Sequence, residues 1–575
     1  MRNTYFSTKK RLFAMFVAIA FIFFVIFLRL GYIQIVWGKK LQTRALEQWT
    51  RDLTVTADRG DITDTNGIVF ASSGTSYTVY VRPNSVSNHS LVAELLSQAL
   101  KLSYQDVYDK VTAKISENTI KRKITVEEAN LIRSYNLEGV YLAADTSREY
   151  VYGDFLSQVL GFVSSDNTGQ SGLEAYYDKY LRGVDGAILT PSDLVGKELE
   201  GERAYYTPTV SGLNVVTTID FRIQRVVENV LDLVMQGHSP KGARCIVVNP
   251  QTGEVLAMSS KPSVDLNNLP RDNIGELMAS TKNMLITDVY EPGSTFKVLT
   301  AAAMLEEYAR GNPKAHSASY VFPNNANFRI VDGSRVKCWT THTSSKHCNQ
   351  NLGDALNNSC NPIFTDIGLS LGKETMYKYL SAFGYGAVSG IDFAGEQAGL
   401  LVAESAVTNG DLARISFGQT IAVTPLQLAM ATSAAVNGGL LMQPYLVKEI
   451  RTQEGELVKK FYPTVRQRAI SEKVSRELAG LLENVVTNGS GKQAYIEGFK
   501  VGGKTGTAQK YENGHIAVGK YVSSFVGFFP ADNPQYLALM LVDEPTGAHY
   551  GSTVAAPYAK MIFQQIINYK NLKPA

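Results

Sequence analysis

One apolar run dominates the start of the chain. Residues 12–28 carry no polar side chain, Arg29 follows, and Leu30–Trp37 restores much of the pattern. The two parts together reach the roughly 20 residues that cross a hydrocarbon core. Arg2, Lys9, Lys10 and Arg11 precede the run with no acidic residue among them. That flank predicts a cytoplasmic tail at 1–11, a membrane anchor at 12–36, and everything beyond on the outer side. A cleaved signal would show a shorter apolar stretch and a small-x-small site, where Arg29 and Tyr32 stand instead.

Beyond the anchor the pattern shortens. Asn66-Gly67 is a hairpin-turn dipeptide, and residues 76–82 alternate as a strand does. Residues 90–140 are charged and read as helical; Thr125 and Glu128 have capping-box spacing ahead of Ala129, Leu131 and Ile132. Residues 140–210 are rich in Tyr and Gly and suggest short strands and turns. Arg59-Gly60-Asp61 invites an adhesion reading, but its setting is a strand–turn framework. No residue set in 37–211 proposes chemistry, so this stretch is read as an α+β pedestal or docking domain.

A second unit is expected over 212–575. Leu213–Asp220 reads as a strand ending in a helix cap, and Phe221–Met235 as an amphipathic helix. Ala243–Pro250 and Glu254–Ser260 are strands around Gln251-Thr252-Gly253. Helices are expected over 294–308, 352–384 and 425–437. Strands follow at Phe499–Gln509, Tyr521–Phe529 and Tyr536–Val542, and a helix at Val554–Tyr569. Two early strands, a helical block, three late strands and a last helix predict an α+β fold. Its centre is a five-stranded antiparallel sheet flanked by helices.

Composition removes several functions. Formal net charge is +3 in 575 residues, too balanced to argue for nucleic acid. No zinc-finger spacing and no phosphate-cradling G-x-x-x-x-G-K-[ST] occurs. Four cysteines are too few for a disulfide scaffold.

The chemistry lies in three motifs. Ser294 and Lys297 form S-x-x-K after Pro292-Gly293 and ahead of the apolar run Val298–Leu305. A serine hydroxyl is a poor nucleophile until a base takes its proton, and a lysine held neutral by burial is such a base. Alone, the pattern reads more readily as a capped helix start. Ser359-Cys360-Asn361 supplies S-x-N and Lys504-Thr505-Gly506-Thr507 supplies K-T-G, in that order. This is the serine acyl-transfer set of penicillin-binding proteins and class A β-lactamases.

The motifs extend to a family resemblance. Arg59-Gly60-x-Ile62-x-Asp64-x-Asn66-Gly67, Gly172-Leu173-Glu174, Thr218-Ile219-Asp220, Tyr290–Ser294, Asn358–Pro362, Phe417-Gly418-Gln419, Thr424-Pro425 and Lys504–Ala508 resemble a class B, monofunctional penicillin-binding protein. Ser359–Pro362 and Lys337-Cys338-Trp339 resemble its firmicute septal and sporulation-stage branch. The resemblance implies a peptidoglycan D,D-transpeptidase acting on stem peptides that end in D-Ala-D-Ala, and acylated by β-lactams. It implies Ser294 as nucleophile, Lys297 as base, Ser359 as proton relay, Asn361 as a holder of Lys297 and substrate, and Lys504, Thr505, Gly506 and Thr507 as substrate contacts. Gly506 is expected to let backbone approach substrate. A membrane glycosyltransferase and other division or sporulation proteins are the implied partners, and catalysis needs no cofactor. The alternatives are a β-lactamase, which needs no anchored spacer, and a catalytically silent division scaffold, which needs no complete triad.

Cys245 lies in an apolar strand and reads as a buried thiol; Cys360 is expected to point into the core. Cys338 and Cys348 flank a polar segment holding His342 and His347. A disulfide, free thiols and a bound metal all remain open for the pair. Clustered thiolates and imidazoles favour structural zinc, held by Cys338, Cys348 and, from another loop, His549.

Overall fold

The computed structural model describes residues 2–38, 40–41, 50–191, 205–323, 326–343, 347–512 and 515–574. The first apolar run forms one helix, Arg2–Ile35. Its Lys9–Ile35 part is long and apolar enough to cross a membrane.

The chain folds into two compact units. The smaller comprises Met1–Asp58, Thr75–Ser147 and Val184–Val210; the larger comprises Arg59–Gly74, Arg148–Gly183 and Ser211–Ala575. Residues 59–74 and 148–183 thus group with the larger unit although they precede residue 212 in the chain. Buried charge explains why. Arg59 is 1% exposed and donates from Nε to Glu174 at 2.5 Å and from Nη1 to Asp178 at 2.7 Å. Arg148 donates from Nε to the other Glu174 oxygen at 2.6 Å and from Nη1 to the Gly60 carbonyl at 2.9 Å. A buried carboxylate is tolerated only when fully paired, so residues 59–60, 148 and 174–178 fold as one piece. Arg59-Gly60-Asp61 is thus a structural element with its arginine out of reach of any receptor.

In the smaller unit, the part of strand Val69–Val81 beyond residue 75 pairs with Asn118–Ile124, and helices close a core around Val79, Leu96, Val107 and Ile132. The strand at 118–124 corrects the expectation of helix throughout 90–140. Ile120 and Ile124 face inward, while the irregular pairing here, with Lys123 at φ +53°, turns Arg122 between them outward. The capping box forms: Glu128 N donates to Thr125 Oγ1 at 3.2 Å and Thr125 N to Glu128 Oε2 at 3.0 Å.

The larger unit runs through helix α1 (Phe221–His238), strands β1 (Gly242–Val248) and β2 (Val255–Lys261), and helix α2 (Lys297–Ala309). Hairpin strands β3 (Phe328–Val331) and β4 (Ser334–Lys337) follow, then helices α3 (Asn361–Leu371), α4 (Pro425–Val436) and α5 (Glu472–Thr487). Strands β5 (Gly502–Glu512), β6 (His515–Phe529) and β7 (Tyr536–Asp543) and helix α6 (Ala556–Lys570) complete it. The expected five-stranded sheet has the order β2-β1-β7-β6-β5 and is antiparallel throughout.

Period two divides its side chains between two cores. Cys245, Val247, Phe525 and Met540 pack with α1 and α6, whereas Ile246, Val248, Val526 and Leu539 pack with the central helices. Each large apolar side chain so buried contributes about 1.5–3 kcal/mol. Strand β5 is the sheet edge, so its outer side is open to the helical block. The β3–β4 hairpin and helix α5 were not expected. The α5 period, Val474, Leu478, Leu482 and Val485, is present and buried; the hairpin is short and polar and has no such signal.

Candidate active site

Pro292 leads into a 3₁₀ turn, Gly293–Phe296, that continues as α2. Gly293 adopts φ +55°, which a side chain resists. A 3₁₀ turn eclipses residues i and i+3, and that aligns Ser294 with Lys297. Lys297 is fully buried and donates from Nζ to Ser294 Oγ at 3.1 Å, Ser359 Oγ at 3.1 Å, Ser359 O at 2.8 Å and Asn361 Oδ1 at 2.7 Å.

Ser359 holds the left-handed conformation at φ +53° just before α3. Strain of this kind persists where the surroundings over-determine it, and here both faces of the residue are engaged. Lys504 Nζ reaches the same Ser359 Oγ at 3.0 Å from β5. One hydroxyl therefore lies between two buried lysine amines. Burial pushes Lys297 down to about 8, against the Cys338 and Cys360 sulfurs. Burial, and then the Lys297 charge, hold Lys504 well below its ordinary value. Burial disfavours two charges side by side, which leaves a basic amine beside a serine.

Ser294, Ser359 and Asn361 line a cleft of about 750 Å³, and Lys297 and Lys504 are buried behind them. Glu291, three residues before the nucleophile, accepts from Thr420 N at 2.9 Å, and burial raises its carboxyl to about 6. That bond ties the Gly418–Thr420 turn to the nucleophile turn, as does Gly293 N donating to Gly418 O at 2.9 Å. Thr505 Oγ1 donates to Ser490 Oγ at 3.1 Å, and Thr507 Oγ1 accepts from Gly551 N at 3.1 Å. Ser490 and Gly551 were not foreseen; Ser490 sits in a loop and Gly551 opens a four-residue helix, neither with a local signature. Gly506 lines the cleft, and a Cβ there would stand 2.4 Å from Ser524 Oγ and 3.2 Å from Pro292 O, so the strand admits only glycine at this point.

A family model for the penicillin binding protein transpeptidase domain matches residues 243–567. The chain belongs to this family. A second model, for a penicillin-binding protein dimerisation domain, matches residues 54–217. The chain is 39% identical to stage V sporulation protein D of Bacillus subtilis (strain 168), over 100% of its own length and 88% of that protein. It is 26% identical to the peptidoglycan D,D-transpeptidase FtsI of Escherichia coli (strain K12), over 95% and 89%. The fold is shared with a peptidoglycan synthetase from Bifidobacterium adolescentis, at TM-score 0.72 and 24% identity, over 92% of this chain and 98% of that one.

The cysteines of this penicillin-binding protein depart from expectation. All four are free. Cys245 is the buried thiol foreseen, its pKa raised by burial. Among the described residues, the donor atoms of Cys338, His342, His347 and Cys360 lie within 4.8 Å of one another. Cys348 and His549 are outside this set, which corrects the metal set expected from spacing. The His549 ring instead stacks on Tyr521, centroids 4.2 Å apart, and lines the cleft. His347 at φ +63° and Asn349 at φ +48° twist the backbone around Cys348, so adjacent residues face different ways. Cys360 is buried as expected, but its sulfur faces His342 Nε2 at 3.7 Å rather than apolar neighbours alone. Cys338 Sγ lies 3.8 Å from His347 Nδ1. Tetrahedral zinc bonds to sulfur and nitrogen would set such an S···N edge at about 3.6 Å. The donor set therefore fits zinc in both chemistry and spacing. Trp339, next to Cys338, closes this side by donating from Nε1 to Asn358 O at 2.9 Å.

Proposed function

We propose that the protein is a serine D,D-transpeptidase that cross-links peptidoglycan stem peptides. The observation that carries this reading is the buried Lys297 amine, 3.1 Å from both Ser294 Oγ and Ser359 Oγ, with its pKa lowered to about 8. Neutral Lys297 takes the Ser294 proton as Oγ bonds to the carbonyl carbon of the penultimate D-Ala. The N–H groups of Ser294 and Thr507 stabilise the oxyanion. Ser359 passes a proton to the departing amine, and the C–N bond to the terminal D-Ala breaks. The acyl-enzyme ester then yields to an amine of a second stem. Asn361 holds Lys297 in place, and Lys504, Thr505 and Thr507 receive the terminal carboxylate, which restores the Lys504 charge. β-Lactams acylate the same oxygen.

Around this chemistry, residues 1–11 lie in the cytoplasm, 12–36 anchor the protein, 37–211 serve as pedestal and 212–575 catalyse outside the membrane. The basic flank of the apolar helix supports that orientation. The likeness to a stage V sporulation protein supports a role in sporulation, and a membrane glycosyltransferase with other sporulation or division proteins would be its partners. Cys338, His342, His347 and Cys360 would hold a structural zinc that braces the wall beside Ser359.

Mass spectrometry after penicillin treatment should find one covalent adduct, on the peptide containing Ser294. Ser294→Ala should abolish it. An adduct that survives the substitution sinks the assignment.

A further inference from the structure

The β3–β4 hairpin forms one wall of the cleft. Its register pairs Phe328 with Lys337 and Ile330 with Arg335. Along β4 the burial alternates: Arg335 and Lys337 are exposed, and Val336 between them is 6% exposed. The two cations therefore share one face, about 7 Å apart, and both line the cleft that contains Ser294.

This face is fixed relative to the nucleophile. Asn361, which accepts from Lys297, donates from Nδ2 to the Lys337 carbonyl at 3.0 Å. Just beyond the strand, Cys338 N donates to Asn327 O at 2.7 Å. The Arg335 guanidinium lies 3.7 Å from the Phe328 ring centroid. Stacked in this way, the group keeps its N–H edge for a planar acceptor such as a carboxylate. Among the described residues neither cation has a carboxylate partner, and no Asp or Glu lines the cleft. A third lining cation, Arg414, turns toward its own helix, donating to Gly410 O at 3.3 Å. Arg335 and Lys337 are thus two oriented, unneutralised charges on a wall bonded to the catalytic asparagine.

We infer that Arg335 and Lys337 read free carboxylates on the donor stem peptide, upstream of its terminal D-Ala-D-Ala. The inference rests on the transpeptidase reading and adds a substrate class to it: donors bearing side or branch carboxylates, in preference to the same donors as carboxamides. An extended peptide bound along β5 would present alternate groups to the facing wall at the spacing of the two cations.

The test uses the full-length protein and two stem pentapeptides, identical except that one carries free upstream carboxylates and the other carboxamides. Each competes with a fluorescent penicillin, and transfer to an amine acceptor is measured beside it. Rates are normalised to the penicillin-labelled fraction, so that only folded protein counts. The free-acid donor should be at least tenfold better in kcat/KM and in competition, with the gap narrowing as salt is raised. In the Arg335→Gln/Lys337→Gln double variant the gap should fall to twofold or less. A wild-type enzyme that treats both donors alike, or a variant that keeps the preference, overturns the inference and leaves the transpeptidase reading standing. Penicillin labelling with neither transfer nor competition by either donor overturns both.

Discussion

Lys297 Nζ lies 3.1 Å from Ser294 Oγ with no exposure to solvent. A charged amine in that position stabilises its surroundings but does not take a proton. The kinetic consequence follows from burial, which lowers Lys297 to about 8. Below that value Lys297 is protonated and the nucleophile is unactivated. Acylation by a chromogenic cephalosporin should therefore rise about tenfold per pH unit from pH 6 to 7 and level off above pH 8. Stopped-flow single-turnover rates check this, and a flat profile from pH 6 to 8 would exclude Lys297 as the base.

Gly418 controls the nucleophile turn from outside the motifs. It sits at φ +86°, and a Cβ would stand 2.1 Å from Gly293 O. Gly418→Ala should push Gly293 and Ser294 aside. A displacement of about 1 Å costs on the order of a hundredfold in rate. Penicillin acylation should slow by that order while far-ultraviolet circular dichroism still reports a folded protein; an unchanged rate would refute the coupling.

The Arg59–Glu174–Arg148 network predicts a stability effect far from the cleft. Arg59→Ala leaves the fully buried Glu174 carboxylate with one of its two arginines. Breaking a buried pair from one side costs about 3–5 kcal/mol. The thermal unfolding midpoint of purified protein should drop by several degrees, and Arg59→Lys should not fully restore it, because an ammonium does not reproduce the bonds made by Nε, Nη1 and Nη2. Wild-type stability in Arg59→Ala would show that the network is dispensable.

Metal content separates the cluster from the spacing argument. Purified protein should carry about one zinc per chain. Cys338→Ser and Cys360→Ser should lose it together with thermal stability, whereas Cys348→Ser should retain it. Elemental analysis decides this. A metal-free protein with a Cys338–Cys348 link in non-reducing peptide maps would end the zinc reading.

Much of the molecule was legible because its causes are local. The anchor is a run of apolar side chains, the turn at Asn66-Gly67 is a conformational preference of two residues, and the Thr125–Glu128 cap closes within one helical turn. The five sheet strands each carry their own apolar pattern and turn signals, and α5 carries a helical period in Val474, Leu478, Leu482 and Val485. Ser294 and Lys297 meet because three residues make one turn of 3₁₀ helix. The remaining relationships join residues that sequence spacing does not relate. Lys504 meets Ser359 only because β5 is the sheet edge facing the helical block. Lys297 becomes a base only through burial, which depends on the packing of α2 among other helices. Residues 59–74 and 148–183 join the larger unit because a buried glutamate requires both arginines. Gly506 has to be glycine because a neighbouring strand and turn fill the space of a Cβ. The metal donors were misread because thiol direction follows backbone rotation: positive φ at His347 and Ser359 brings His347 and Cys360 to Cys338, and no count of intervening residues encodes that rotation.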